Sequence, residues 1–184
     1  MTRIVAGEAG GRRLAVPPGD RTRPTSDRAR EALFGSVSAL LELTGARVLD
    51  LFAGSGAVGL EAVSRGAAAA LLIDSDARAA ATAKDNAAAL GLSARVTVRR
   101  DRVERALAGA PAPYDLVFAD PPYALGDDEL ALVLHRLTEG WLAPGAVLVV
   151  ERSSRGEGPR WPEGVEALKQ RRYGEGTLWY GRFS

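Results

Sequence analysis

The chain has 184 residues, 46% of them hydrophobic and 26% charged, which fits one folded domain able to bury a core. It has no cysteine, so disulfides, thiolate metal sites and thiol nucleophiles are excluded together. The net charge of +1 points to no partner by itself, and the single histidine, His135, lies in an apolar helical run where it reads as structural or solvent-facing, so a zinc site or a histidine triad has no support.

The opening Met-Thr-Arg-Ile-Val-Ala-Gly lacks the apolar core of a secretory leader, and no later stretch approaches the roughly 20 apolar residues of a membrane span. The expected compartment is the cytoplasm. Residues 3–23 are rich in Gly, Pro and Arg and read as an irregular arm with a short strand or two, starting at Arg3–Ala6. Residues 1–31 carry seven arginines against Glu8, Asp20, Asp27 and Glu31, and from Glu151 onward seven basic residues face five acidic ones. Basic ends around an acidic middle suit arms that meet phosphate, or termini that are simply solvated. The chain thus divides into a basic arm, 1–24, and an α/β domain, 25–184.

Pro24-Thr25-Ser26-Asp27 is a helix start, followed by Ala29, Leu33, Val37, Leu40 and Leu41 at helical spacing. From Arg47 strands and helices alternate. Strands are expected at Val48–Phe52, Ala70–Ile73, Arg95–Arg99, Asp115–Ala119 and Ala146–Glu151, with helices at Ala57–Arg65, Asp76–Leu90, Asp101–Ala108 and Asp128–Glu139. Val165–Tyr173 and Thr177–Phe183 read as a closing hairpin. The expected fold is α/β and Rossmann-like: seven strands, mostly parallel, with a C-terminal antiparallel hairpin and helices on both faces.

Asp50-Leu51-Phe52-Ala53-Gly54-Ser55-Gly56-Ala57-Val58-Gly59 holds a G-x-G-x-x-G between strand and helix, where a sharp turn brings backbone close to a ligand. Asp74 ends the next strand, where a carboxylate can accept both hydroxyls of a ribose. A diphosphate would be repelled by Asp50, whereas an ammonium would be attracted. Asp101 ends the third strand and either accepts from an adenine amine or caps the following helix. Asp50, Asp74 and Asp101 together suit S-adenosylmethionine better than a dinucleotide. Phe52, Ala53, Gly54, Ser55 and Gly56 of the turn, with Ser75 and Arg102 beside the later carboxylates, complete the expected cofactor set.

The fourth strand ends in Asp120-Pro121-Pro122-Tyr123. Two prolines cannot extend a sheet ladder, so the strand stops and the segment is stiff. Methylation of an aryl amine needs acceptors that hold the N–H hydrogens and turn the lone pair toward the methyl, and these residues are the expected catalytic group. Tyr123 can stack on an extruded base.

The Asp-Pro-Pro-Tyr segment following Asp50–Gly56 resembles the amino-methyltransferases. Arg23-Pro24-Thr25-Ser26-Asp27-Arg28-Ala29-Arg30-Glu31-Ala32-Leu33-Phe34, with the Gly-Gly-Arg-Arg arm before it, is similar to the bacterial RsmD family, 16S rRNA guanine-N2 methyltransferases, over essentially the whole chain. The resemblance implies that the turn holds the methionine part of the cofactor, Asp74 the ribose, Asp101 the adenine amine and Asp120–Tyr123 the guanine. Many relatives carry Glu in place of Asp74. Arg12, Arg13, Arg21, Arg23, Arg28 and Arg30 would contact rRNA phosphates, with Thr25 near the cofactor. The implied substrate is 16S rRNA in an assembled or partly assembled small subunit, ribosomal proteins included. The implied product is S-adenosylhomocysteine, with no metal, no membrane and a monomeric enzyme. The competing readings are methylation of another base such as adenine N6 in RNA or DNA, methylation of a protein amide, and a non-catalytic RNA-binding assembly factor that keeps an adenosyl pocket. A cysteine-dependent pyrimidine C5 methylation is ruled out by composition.

Overall fold

A computed structural model describes residues 2–17 and 26–184. The elements run α1 (Asp27–Leu40), β1 (Arg47–Leu51), α2 (Ala57–Ser64), β2 (Ala69–Asp74), α3 (Ala77–Ala89), β3 (Val96–Arg100), α4 (Val103–Leu107), β4 (Tyr114–Ala119), α5 (Asp127–Leu137), β5 (Leu142–Ser153), β6 (Val165–Tyr173) and β7 (Gly176–Phe183). One seven-stranded sheet has the order β3-β2-β1-β4-β5-β7-β6, with β1 to β5 parallel and β7 antiparallel to both β5 and β6. The strand direction through the sequence reverses between β1 and β4, which opens a crevice at their C-terminal ends.

Alternation along the strands divides the core into two layers. Val48, Leu72, Leu116, Phe118, Val147, Val149 and Tyr180 pack with α1, α2, α3 and the arm on one face. Leu49, Leu51, Ile73, Val117, Leu148 and Val150 pack with α4 and α5 on the other. Local sequence sets the helix starts: the Ser26 hydroxyl accepts from the Ala29 N–H at 3.1 Å and the Asp76 carboxylate from the Ala79 N–H at 2.9 Å.

Several boundaries differ from the sequence expectation. β5 begins at Leu142 rather than Ala146, because a register irregularity between Tyr114 and Leu116 lets Pro144-Gly145 ride within the strand. A 3-10 turn, Ser93–Arg95, takes the start expected for β3. The described part of the arm, residues 2–17, forms one isolated bridge, Arg3 to Arg13, in place of a strand. Its turn at Gly7 is forced by packing, since a Cβ there would lie 1.9 Å from the Ser64 carbonyl oxygen.

The described part of the arm is welded to the domain. Ile4, Ala9 and Leu14 are core residues. The buried Glu61 carboxylate of α2 accepts from the Val5 and Ala6 N–H groups at 2.8 and 3.0 Å, and Asn86 of α3 accepts from the Ala15 N–H at 2.9 Å and donates to the Ala15 carbonyl at 3.0 Å. Arg30 is fully buried between these layers. It pairs with Asp27 at 2.7 Å, faces Glu61 at 3.6 Å and donates to the Arg3 carbonyl. That corrects its expected role: a buried guanidinium that ties α1, α2 and the arm together does not reach RNA. The composition boundary at residue 24 falls outside the described residues.

Candidate active site

The acidic residues singled out in the sequence, Asp50, Asp74, Asp101 and Asp120, lie at or near the C-terminal ends of the parallel strands β1 to β4. β1 delivers Asp50, which is 1% exposed and, among the described residues, accepts one side-chain hydrogen bond, from the Gly59 N–H at 3.1 Å. A Cβ at Gly59 would sit 2.1 Å from a terminal methyl of the buried Leu72, which would have to repack. Burial, with the nearby Asp74 charge adding to it and the Gly59 bond opposing, pushes the Asp50 carboxyl up to about 8.

The turn after β1 carries its strain openly. Phe52 has φ 59°, Gly54 57° and Gly56 84°, and a left-handed Phe is costly enough to mark a site held by its surroundings. The Ala53 N–H donates to the Ile73 carbonyl at 2.8 Å, and the Gly54 N–H to the Asp74 carboxylate at 2.8 Å. Asp74 also accepts from the Asp76 N–H at 2.9 Å. Being half-buried, it retains lone pairs for an outside donor. Asn86 clamps the turn from behind, donating to the Ser55 carbonyl at 2.9 Å.

Asp101 is anchored by its own N–H to the Asp74 carbonyl at 3.0 Å. It does not cap α4, whose N-cap is Arg102 without a side-chain bond. Its carboxylate accepts from the Arg102 N–H at 2.9 Å and lies 3.5 Å from Arg99. Ser75 is exposed, and Arg102 extends outward to Glu104 at 3.5 Å.

Across the crevice, β4 ends at Ala119 and Asp120 follows, half-buried. Its carboxyl is held well above the usual carboxylate range, chiefly by burial, then by Glu151 and Asp50, with Arg152 opposing. Pro121 is buried, Pro122 is exposed, and Tyr123 stands 68% exposed on the rim. The Leu125 N–H donates to the Pro122 carbonyl at 2.9 Å, closing the turn.

Of the RNA-directed arginines, Arg13 and Arg28 are exposed. Arg12 is exposed too but donates to the Ala89 carbonyl at the end of α3, at 2.7 Å. Arg21, Arg23 and Thr25 lie outside the described residues. His135 is solvent-exposed and Tyr180 fully buried. Asn86 and Glu151 join the site without having been singled out in the sequence. Asn86 stands among alanines on α3, a polar interruption that could have flagged it, whereas Glu151 is recognisable only once β5 is known to neighbour β4.

The site fits a cationic nucleoside. Asp50 is a buried carboxylate short of donors, the turn exposes backbone at left-handed positions, and Asp74 keeps free acceptor capacity. Among the described residues no three His, Cys, Asp or Glu side chains converge as metal ligands would. Among the described residues no helix is long and apolar enough to cross a membrane.

Comparison with known proteins agrees with this geometry. The family model described as conserved hypothetical protein 95 matches residues 2–182. Ribosomal RNA small subunit methyltransferase D of Escherichia coli K12 is 40% identical over 149 residues, 81% of this chain and 73% of that protein. The protein of the same name from Haemophilus influenzae is 34% identical over 152 residues, 81% and 77% of the two chains. The solved structure of yhhF from Escherichia coli, described as a candidate methyltransferase, superposes with a TM-score of 0.87 at 34% identity, covering 98% of this chain and 97% of that one.

Proposed function

The chain belongs to the RsmD family and is a methyltransferase, and from that premise we propose that it transfers a methyl group from S-adenosylmethionine to the exocyclic N2 amine of a guanine in 16S rRNA, within an assembled or partly assembled small subunit. The observation that carries the reading is the meeting, at one crevice, of the strained Phe52–Gly56 turn, Asp50 and Asp74 on one side and Asp120-Pro121-Pro122-Tyr123 on the other. The relatives named for rRNA methylation support the substrate class; guanine and the subunit context are the finer part of the proposal.

When bound, S-adenosylmethionine supplies an electrophilic methyl group on a sulfonium. Asp50 and the turn hold its ammonium end, Asp74 the ribose hydroxyls, and Asp101 the adenine amine. Asp120 and the Pro121 carbonyl accept the N2 hydrogens, which turns the nitrogen lone pair out of conjugation and stabilises the charge that develops on it. Tyr123 covers the base and helps exclude water. Arg13 and Arg28 meet backbone phosphate, a sequence-independent contribution that weakens with salt.

The test is transfer of tritiated methyl to 30S particles lacking the modification, with free 16S rRNA and duplex DNA alongside, followed by digestion to nucleosides. Label in N2-methylguanosine from the particle is the expected result. Asp120→Ala should lose about 10²–10³-fold in rate while still binding S-adenosylhomocysteine. Label in adenine, DNA or protein discards the guanine assignment, and an Asp120→Ala variant as active as its parent discards the site.

A further inference from the structure

We infer that Glu151 is a second base-contacting carboxylate, which with Asp120 forms a paired acceptor for the hydrogens of the target amine; this rests on the function proposed above. The sheet puts the two side by side. Ala119 is in register with Val150 on the parallel neighbour β5, so the next residues, Asp120 and Glu151, are adjacent at the strand ends. Strand alternation gives them one direction: Phe118 and Val149, two residues back on each strand, both face the α1–α2 layer. Asp50 on β1 has the same parity, opposite Phe118. Glu151 therefore extends the row of carboxylates past the catalytic turn, on the side away from the cofactor loop.

Its surroundings keep it available. On β7, where Leu178 is in register with Glu151, Gly176 two residues along leaves room for the carboxylate, since a Cβ there would lie 3.1 Å from its Oε2 atom. No described residue donates a hydrogen bond to the side chain of Asp120 or Glu151. The next residue, Arg152, points to the other face, where it donates to the Leu125 carbonyl at 2.9 Å and to Asp127 at 3.0 Å. Among the described residues, the other charged groups that act on Asp120 are Asp50 on β1 and Arg152 on β5. Burial raises Glu151 as well as Asp120, so ionisation of both carboxyls at once is resisted.

The chemistry uses that arrangement. The guanine edge presents two N2 hydrogens that point in different directions, with N1–H beside one of them, so two acceptor groups can hold both N2 hydrogens at once. As the N2 lone pair forms the new N–C bond, the electrons of the S–C bond return to sulfur. The nitrogen then carries one proton too many. The ionised member of the pair takes it, and a proton leaves to water before the next turnover.

The experiment compares the parent, Glu151→Gln and Glu151→Asp in single-turnover transfer to 30S particles from about pH 5.5 to 9, with the methylated nucleoside identified. S-adenosylhomocysteine binding is measured in parallel. Glu151→Gln should react roughly 10–100-fold more slowly and bind S-adenosylhomocysteine within about twofold of the parent. Its acid limb should move to lower pH, because Asp120 loses a negative neighbour. Glu151→Asp should keep the carboxyl pair and return the limb toward the parent's position, which also covers a Gln variant that does not fold. A Gln variant with the parent's rate and limb overturns the inference, as does a slow one with weakened S-adenosylhomocysteine binding and an unmoved limb. Those outcomes leave the proposed function intact, whereas a parent that makes no N2-methylguanosine sinks that function and this inference with it.

Discussion

Asp50 occupies a position where burial alone would favour an aliphatic side chain. It is 1% exposed, has one donor, and shares its surroundings with Asp74, so the free protein holds it protonated up to about 8. A folded-state value above the unfolded one means the native chain binds the proton more tightly; stability is greatest below the ordinary carboxylate range and is lost as pH rises toward 8. A cationic ligand reverses the sign, because it favours the ionised form. Asp50→Asn keeps the shape and removes the titration. Without cofactor the variant should melt several degrees above the parent at pH 8.5, with each kcal/mol worth about 2–4 °C at this size, and gain much less at pH 5. It should also bind S-adenosylhomocysteine at least about tenfold more weakly. Thermal melts at the two pH values decide it: an equal gain at both shows that the Asp50 proton is not the cause. Arg30 makes the complementary point. On α1 it was grouped with the exposed Arg28, yet positions 30, 33, 34 and 37 share one helical face, and Leu33, Phe34 and Val37 are all buried. The period that located the helix also carried the information that Arg30 faces inward, had charge not been read first.

At the scale of elements, what the sequence made legible was whatever is encoded locally. Caps at Ser26 and Asp76, the glycine turn after β1 and the two closing β-runs all come from neighbouring residues, and alternation and breakers locate all seven strands of the sheet, though not the starts of β3 and β5. The arm was not legible in this way, because its conformation is set by distant partners. Besides the local bonds of its own turn, its backbone is held by Glu61, Ser64 and Asn86, more than 50 residues away in each case. Likewise Glu151 needed the strand order before its place next to Asp120 could be seen. Asn86 shows how such long-range contacts couple elements: its side-chain amide bonds Ala15 of the arm twice and the Ser55 carbonyl of the cofactor turn once. Removing it loosens both together. Asn86→Ala should cost about 2–4 kcal/mol, three bonds at roughly 1 kcal/mol each, and weaken S-adenosylhomocysteine binding although the side chain lies behind the turn. Asn86→Asp should be worse at neutral pH, since a carboxylate would face two carbonyl oxygens, and should recover in acid. Denaturant melts test the order; an Asp variant as stable as the Ala variant at pH 7 would show that the amide hydrogens are not what holds the turn.

For the whole molecule, the uneven charge noted in the sequence becomes a polarity of the fold. Arg13 and Arg28 lie exposed on the arm and α1, while Asp74, Asp50, Asp120 and Glu151 line successive strands β2, β1, β4 and β5 at one sheet edge. Concentrating acids in this way costs the free protein stability that the bound cofactor returns, so ligand binding and proton binding are linked across the whole site. The sign follows from Asp50. At pH 7 it is protonated in the free protein, at about 8, and a bound ammonium favours its ionised form, so association must expel a proton. Calorimetry of S-adenosylhomocysteine binding in buffers of different ionisation enthalpy should therefore report release of most of one proton at pH 7. By about pH 9 Asp50 is already ionised, so the release should largely vanish. In Asp50→Asn the release at pH 7 should be absent. Binding with no buffer dependence at pH 7 would mean that the ammonium does not sit against Asp50, and the cofactor would then have to be oriented in the crevice by Asp74 and the turn alone.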